Sequence, residues 1–239
     1  MQITTKAIVL SSIKYSEADL IVKCYTQSSG LKSYLLKNIL KSKKGKLRTS
    51  LFQPLTLLEL NANHKDKGTL EFIQEAKVYY AFQSLHTQIL KTSIVLFLSE
   101  ILKSVIQEEE KNNALFSFLE NSFIWLDSND AIANFHLLFL LKLSDHLGFS
   151  PDLNSSNLPI FNLVDGVFQK ESTNIYCINI FENTGIKLFF GIKFDELNLI
   201  KLSKKERIES LEILLLYYEL HMQGFKKPKS LDVLNQLFN

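Results

Sequence analysis

The chain has 239 residues, of which 46% are hydrophobic, and a formal net charge of +2. This length and composition support a full hydrophobic core and exclude an intrinsically disordered protein. The longest apolar runs fall well short of the roughly 20 residues of a membrane span, and the N-terminus lacks the pattern of a secretory signal peptide.

The first 80 residues are predicted to form five short β-strands, because apolar and polar residues alternate with a period of two. The predicted strands cover residues 3–12, 19–26, 31–37, 55–63 and 69–78. In the second strand, Leu20, Val22 and Cys24 share one face, while Ile21 and Lys23 lie on the other. This spacing predicts a small barrel such as an OB-fold, which binds nucleic acids on strands 2 and 3, with an SH3-like barrel as the alternative.

From residue 84 onward the apolar period becomes helical, so the predicted fold class is α+β, with an OB-fold barrel at 1–80 and a mostly α-helical domain at 81–239. Helices are expected from residue 84 to the charged end at 108–111, and at 114–126, 131–147, 204–222 and 231–238. Gly148 is expected to end the third helix, Ser203 and Glu206 to form a capping box, and Ser230 to cap the last helix. Residues 152–202 form a predicted irregular or β insertion, with a hairpin signal at Asp165.

Positive charge is concentrated in the predicted barrel. Residues 1–80 contain 13 Lys and Arg against 6 Asp and Glu, whereas the remainder contains 14 against 19. Such a local field favours a polyanion, and flexible cations around Gly45 can follow an irregular phosphate backbone, although a solvated loop is the alternative. The predicted DNA-binding residues are Lys37, Lys41, Lys43, Lys44, Lys46 and Arg48, with Lys32 and Tyr34 on the preceding strand.

Four aromatic residues lie near this basic segment: Tyr15, Tyr25, Tyr34 and Phe52. Exposed aromatic rings can stack on bases, but an aromatic residue in a small barrel is more often part of the core. Tyr34 is the preferred stacking candidate because it shares a strand face with Lys32.

Two further basic groups flank the helix predicted at 204–222, and either can be a second binding surface or a solvated helix terminus. They comprise Lys204, Lys205 and Arg207 at its start, and Lys226, Lys227 and Lys229 beyond its end. Lysines early in a helix oppose its macrodipole, so the first group needs a partner or full solvation.

No motif indicates catalysis, a cofactor or a small-molecule substrate. The 8 glycines form neither a dinucleotide-binding fingerprint nor a P-loop, and the 5 histidines lack metalloprotease spacing. Only two cysteines occur, Cys24 and Cys177, so neither a disulfide framework nor a metal site is expected, and a reducing cytoplasm fits this usage. The prediction is a protein that is not an enzyme.

The order of several short motifs resembles the RecO family of bacterial DNA repair and recombination proteins. In the N-terminal third the matching residues are Ala7, Ile8, Val9, Leu10, Tyr15, Glu17, Asp19, Tyr25, Thr26, Gly30, Lys37, Gln53, Pro54, Leu55, Leu58 and Glu59. Near the C-terminus they are Tyr217, Tyr218, Glu219, His221, Phe225, Lys229, Ser230 and Leu231. Their order along the chain supports a full-length correspondence.

Two departures from the family pattern are evident. The small, basic segment that many members have after the equivalent of Lys37 is here Asn38, Ile39, Leu40 and Lys41. Some members hold zinc with four cysteines in the C-terminal region, whereas this chain has only Cys177 there, so we expect no zinc site.

The resemblance implies a recombination mediator that binds single- and double-stranded DNA, anneals complementary strands, and acts with RecR to load RecA on DNA coated by single-strand-binding protein (SSB). It also implies a cytoplasmic protein that associates with the nucleoid during repair. From the residues alone, two alternatives stay open: an RNA-binding OB-fold protein, and a protein-interaction scaffold whose basic segment recognises an acidic tail.

Overall fold

A computed structural model describes residues 1–41, 47–65, 69–182 and 184–238. The chain divides into two compact units, the first comprising Met1–Asp127 and Pro228–Ser230 and the second comprising Ser128–Lys227 and Leu231–Asn239. Among the described residues, no helix is both long enough and apolar enough to cross a membrane.

The first unit begins with a five-stranded antiparallel sheet. Its strands are β1 (Gln2–Lys14), β2 (Leu20–Thr26), β3 (Gly30–Leu36), β4 (Leu57–Asn63) and β5 (Phe72–Tyr80), in the spatial order β3-β2-β1-β4-β5. Among the described residues, the two edges of the sheet approach each other at one parallel bridge, between Tyr34 and Glu71. The sheet is therefore curled and OB-like, without a continuous ladder between its edges, and the predicted α+β class is confirmed.

The inner face of this sheet is the core of the first unit. Leu20, Val22 and Cys24 are 8%, 0% and 0% exposed, which confirms the core face predicted for the second strand. Val9 pairs with Cys24 and Ser11 with Lys23, so Leu10 is an extra residue in β1. This bulge increases the local twist of β1 and helps to curl the sheet.

Two helices, α1 (Ile89–Val105) and α2 (Asn113–Ser128), complete the first unit. The ring of Phe116 in α2 stacks on Tyr25 with 6.2 Å between centroids. Glu120, one turn further along α2, accepts hydrogen bonds from the Lys6 ammonium at 2.9 Å and the Tyr79 hydroxyl at 2.6 Å. These contacts fix α2 against the outer side of the sheet.

The connection from β5 to α1 is held by Asp127, near the end of α2. Its carboxylate accepts the backbone N–H groups of Gln83, Ser84 and Leu85 at 2.9, 2.8 and 2.8 Å. The Lys91 ammonium, on a side chain that is 1% exposed, donates to the Asp127 carbonyl oxygen at 2.7 Å. The segment held in this way forms turns, and α1 begins at Ile89 and not at the predicted residue 84.

The turn between β2 and β3 packs against an acidic segment, Glu108 to Glu110. The Leu31 N–H donates to the Glu108 carbonyl oxygen at 3.0 Å. Gly30 has a φ of +60°, and a Cβ atom there would collide with the carbonyl oxygens of Glu108 and Glu110. Both the backbone conformation and the close approach therefore require glycine at this position.

The second unit combines helices with a small sheet. Its elements are α3 (Phe135–Leu147), β6 (Ile160–Asn162), β7 (Val167–Gln169), β8 (Cys177–Asn179), α4 (Thr184–Lys187), α5 (Lys204–His221) and α6 (Leu231–Leu237), with strand order β7-β6-β8. Gly148 ends α3 with a φ of +82°, and Ser203 and Glu206 form the expected capping box of α5. The Ser230 hydroxyl makes no hydrogen bond within the described part of the chain, so the predicted cap of α6 is not observed.

Candidate nucleic-acid interface

The outer face of the sheet consists of cross-strand rows of side chains. One row is Ile13, Ile21 and Leu35, which pair directly across β1, β2 and β3. The next row is Ser11, Lys23 and Ser33. Ile13 is 50% exposed and the other five residues are partly exposed, so both rows are open to solvent.

The third row of this face is covered. It contains Ile8, Tyr25 and Leu31, and Tyr25 is only 1% exposed because Phe116 of α2 stacks on it. The Tyr25 hydroxyl also donates to the Asn112 carbonyl oxygen at 3.4 Å. The pKa of Tyr25 is raised to about 12, mainly by burial and to a smaller extent by the negative charge of Glu108. Along β2 and β3, the outer face is thus open at the end of the sheet that carries Ile13 and Leu35.

Phe72 extends the apolar row beyond β3. Tyr34 and Glu71 form the bridge between the sheet edges and are 0% and 2% exposed, so both point inward. Because neighbouring residues alternate between faces, Leu35 and Phe72 point outward side by side. The ammonium groups of Lys37 and Lys65 lie 5.7 and 5.8 Å from the Phe72 ring centroid.

The predicted basic segment starts from a fixed point beside this face. The Asn38 N–H donates to the Asp19 carboxylate at 2.7 Å, and the Leu40 N–H donates to the Ala18 carbonyl oxygen at 3.0 Å. The pKa of Asp19 lies below its ordinary value, mainly because of the hydrogen bond from the Asn38 N–H and to a smaller extent because of the Ser16 side chain. The start of the basic segment is therefore attached to the loop between β1 and β2.

The cations of this segment differ in their surroundings. Lys37 and Arg48 are exposed, and Lys41 is exposed with its ammonium 3.4 Å from the Glu17 carboxylate. An ion pair this exposed is weak and can exchange for a phosphate. Lys43, Lys44 and Lys46 lie outside the described residues. The assignment of these six cations to DNA stays a prediction.

Lys32 and Tyr34, also predicted to contact DNA, are buried. Tyr34 is 0% exposed, and its hydroxyl is hydrogen bonded to Nε2 of His64 at 2.8 Å. Lys32 is 8% exposed and its ammonium lies 3.3 Å from the Glu109 carboxylate. A ring with no exposed face cannot stack on a base in this conformation, so Tyr34 is a core residue here, as Phe52 is at 2% exposure. Tyr15, at 62% exposure, is the accessible ring of the four.

The second predicted basic surface also contains a structural residue. The Arg207 guanidinium donates to Asn134 Oδ1 and to the carbonyl oxygens of Leu202 and Phe238, at 3.1 to 3.2 Å. Arg207 therefore ties the start of α5 to the C-terminal helix, and its burial lowers its pKa. The remaining cations of this group stay predicted binding residues.

Those remaining cations are distributed over both units. Lys204 and Lys205 are exposed, with Lys205 3.7 Å from Glu209, and Lys226 is exposed. The ammonium of Lys227 lies 3.4 Å from the Glu219 carboxylate. Lys229 belongs to the first unit, where its backbone N–H donates to Glu100.

The histidines serve local packing and hydrogen bonding. His86 and His221 bond to the carbonyl oxygens of Pro54 and Leu163, both at 2.9 Å. His136 is 1% exposed, and burial, reinforced by the charge of Arg207, lowers its pKa to about 3. Within the described ranges, no cluster of three or more His, Cys, Asp or Glu residues is placed to hold a metal ion.

Several residues of this face were not predicted to bind. Ile21, Lys23, Leu35 and Phe72 carry a simple signal, because each lies between two buried residues. Ile13 carries no such signal, since the extra residue Leu10 moves it to the face opposite Val9. The lysines on either side of Phe72 carry no such signal, since Lys37 and Lys65 meet only through the bridge that joins the sheet edges.

Comparison with known proteins agrees with this architecture. The family model "Recombination protein O N terminal" matches residues 1–82, and "Recombination protein O C terminal" matches residues 86–232. The chain is 55% identical over 238 residues to DNA repair protein RecO of Christiangramia forsetii and 48% identical over 239 residues to that of Flavobacterium psychrophilum, with complete coverage of both chains in each case. It is 36% identical to the Bacteroides fragilis protein, with 98% of each chain covered.

An OB-like sheet followed by a helical region, together with these relatives, defines a DNA repair and recombination protein. The two matched segments account for most of the chain, and they occur in the same order as the predicted barrel and helical domain. The chain belongs to the RecO family.

Proposed function

We propose that this chain is a recombination mediator that binds single-stranded DNA on the open part of its outer sheet face. The observation that carries the proposal is the combination of an exposed apolar row with surrounding lysines. Ile13, Ile21 and Leu35 offer a flat apolar surface to bases, and Lys23 and Lys37 are placed for phosphates. Base stacking together with neutralised phosphates is the common mode of binding a strand without sequence preference.

The finer activities of the mediator are part of the same proposal. We propose that residues 1–80 form the DNA-binding domain, including the cations from Lys37 to Arg48, and that residues 81–239 carry protein contacts. By family resemblance, the chain also binds double-stranded DNA, anneals complementary strands, and helps RecR to load RecA on SSB-coated strands. It acts in the cytoplasm, at the nucleoid, and is not an enzyme.

The test is the salt dependence of binding to a fluorescent single strand, measured by anisotropy. Each cation that contacts a phosphate contributes about 0.7 to the slope of log K against log salt for a single strand. A variant with Lys37, Lys41, Lys43, Lys44, Lys46 and Arg48 changed to Gln is expected to lose several units of slope. Lys23→Gln is expected to lose about 0.7, because it removes one phosphate contact.

Lys103→Gln is the matched control, since Lys103 is an exposed lysine of α1 in the same unit. Its slope should equal that of the wild type. Equal slopes for the control and for the six-cation variant would contradict the site. Tighter binding of RNA than of DNA of the same sequence would favour an RNA-binding protein, and retention of an acidic peptide without DNA would favour the scaffold.

A further inference from the structure

Phe72 is placed on the sheet but is not part of its core. The core cluster includes Ile73, which faces inward at 9% exposure, whereas Phe72 lies outside that cluster and is half-buried. A phenylalanine that is left partly exposed on a β-strand retains a ring edge or face for another molecule. Phe72 is therefore available for contact in a way that Tyr34 and Phe52 are not.

The two lysines beside Phe72 are held loosely. Lys37 and Lys65 are exposed, and their ammonium groups lie 5.7 and 5.8 Å from the ring centroid, close to the outer limit for a cation–π contact. Such contacts are weak at exposed positions, whereas a lysine beside a phosphate releases condensed counterions. A phosphate is therefore a stronger partner than the ring for both ammonium groups.

We propose that Phe72 is a stacking residue for an unpaired base, with Lys37 and Lys65 holding the flanking phosphates. This corner of the face then selects single-stranded over double-stranded DNA, because a base within a duplex is covered by its neighbours and must be unstacked first. The proposal rests on the DNA-binding function proposed above and assigns the determinant of strand preference within it.

The test compares three ligands of equal length: an oligothymidylate, the same strand with abasic sites in place of thymidines, and a duplex. Phe72→Leu is expected to weaken oligothymidylate binding about tenfold, the effect of losing one base–aromatic stack. Binding to the abasic strand and to the duplex should be unchanged, as neither offers an unpaired base. Phe72→Tyr, which keeps the ring, should retain wild-type affinity for all three.

The lysines should show the complementary pattern. A Lys37→Gln, Lys65→Gln double variant is expected to weaken binding of the oligothymidylate and of the abasic strand alike. It should also lower the salt slope by about 1.4, because two phosphate contacts are removed. Phe72→Leu should leave the salt slope unchanged, so the two kinds of variant separate stacking from charge.

Phe181 provides a matched control in the second unit. It is 49% exposed, and the Lys187 ammonium lies 4.1 Å from its ring centroid. Phe181→Leu removes an exposed phenylalanine with a lysine over it, and binding of all three ligands should be unaffected.

Wild-type protein that binds none of the ligands would contradict the proposed function itself. If the wild type binds the oligothymidylate and Phe72→Leu binds it with the same affinity, only the stacking role of Phe72 is overturned. Equal losses on all three ligands would also overturn it, because they would assign Phe72 to the fold. Urea unfolding followed by the fluorescence of Trp125 confirms that the variants of the first unit are folded, and far-UV circular dichroism does so for Phe181→Leu.

Discussion

Replacing Asp127 with Asn is expected to destabilise the first unit by about 3 kcal/mol. The side chain is 6% exposed and its two carboxylate oxygens accept three backbone N–H groups. In the variant, Oδ1 keeps the Ser84 and Leu85 N–H groups as neutral hydrogen bonds, each about 1 kcal/mol weaker. The Gln83 N–H then faces an amide donor, which costs about 1–3 kcal/mol before local relaxation.

Trp125 makes this measurement specific to the first unit, because it is the single tryptophan of the chain and lies in α2 close to Asp127. Urea unfolding at 25 °C, followed by tryptophan fluorescence, should show the midpoint falling by about 1.5 M for a slope near 2 kcal/mol/M. Glu110→Gln removes an exposed carboxylate from the same unit and should leave the midpoint unchanged. An Asp127→Asn midpoint equal to that of the wild type would refute the reasoning.

The same carboxylate gives the stability of this unit a defined pH dependence. Burial alone raises the pKa of Asp127, but the N–H groups of Gln83, Ser84 and Leu85 outweigh it and hold the pKa below its ordinary value of 3.8. A lowered folded-state pKa stabilises the fold above the ordinary pKa, and this contribution is lost as the pH falls below it. The wild type and Asp127→Asn should therefore converge in stability below about pH 4. A constant difference from neutral pH downward would contradict the role of the charge.

Three further substitutions test particular contacts. Gly30→Ala is expected to destabilise the first unit by about 2–4 kcal/mol in the same urea assay, since it combines a positive φ with a collision against backbone atoms. Tyr34→Phe should cost about 1–2 kcal/mol of stability through the lost bond to His64, without changing affinity for single-stranded DNA. Arg207→Lys should accelerate hydrogen exchange of the α6 amides about 30-fold, because one ammonium replaces a fork that reaches three acceptors. Unchanged exchange in mass spectrometry would show that α6 does not depend on this contact.

Local sequence pattern predicted most of the sheet, because alternation and turn residues act over a few positions. All five strands occur within three residues of their predicted bounds. The capping box at Ser203 and the left-handed Gly148 were also predicted, and both are local backbone devices. The hairpin signal at Asp165 lies in the turn between β6 and β7.

Features set by distant residues were not predictable in this way. Helix α3 begins at Phe135 and not at 131, and the Asn134 side chain, instead of capping it, bonds to Arg207 and the Ile200 carbonyl oxygen. The sequence assigns Tyr34 to a binding face because Tyr34 and Lys32 share one face of their strand. The two residues do share a face, but it is the buried inner face of the sheet. The position of Phe72 beside two lysines depends on the bridge between the sheet edges, and no local pattern encodes that bridge.

The coverage of Tyr25 by Phe116 has a directional consequence. A bound DNA strand that followed β2 along its length would run into α2, so the open route leads across the sheet, from Ile13 through Ile21 and Leu35 to Phe72. With neighbouring strands about 4.8 Å apart, this path is about 14 Å long. It is the length of about four bases stacked at 3.4 Å intervals, near the lower limit of OB-fold sites. If the chain binds DNA as proposed, the sheet alone sets a short footprint, and any longer tract of DNA falls to the predicted basic segment, which begins at Lys37 beside Phe72.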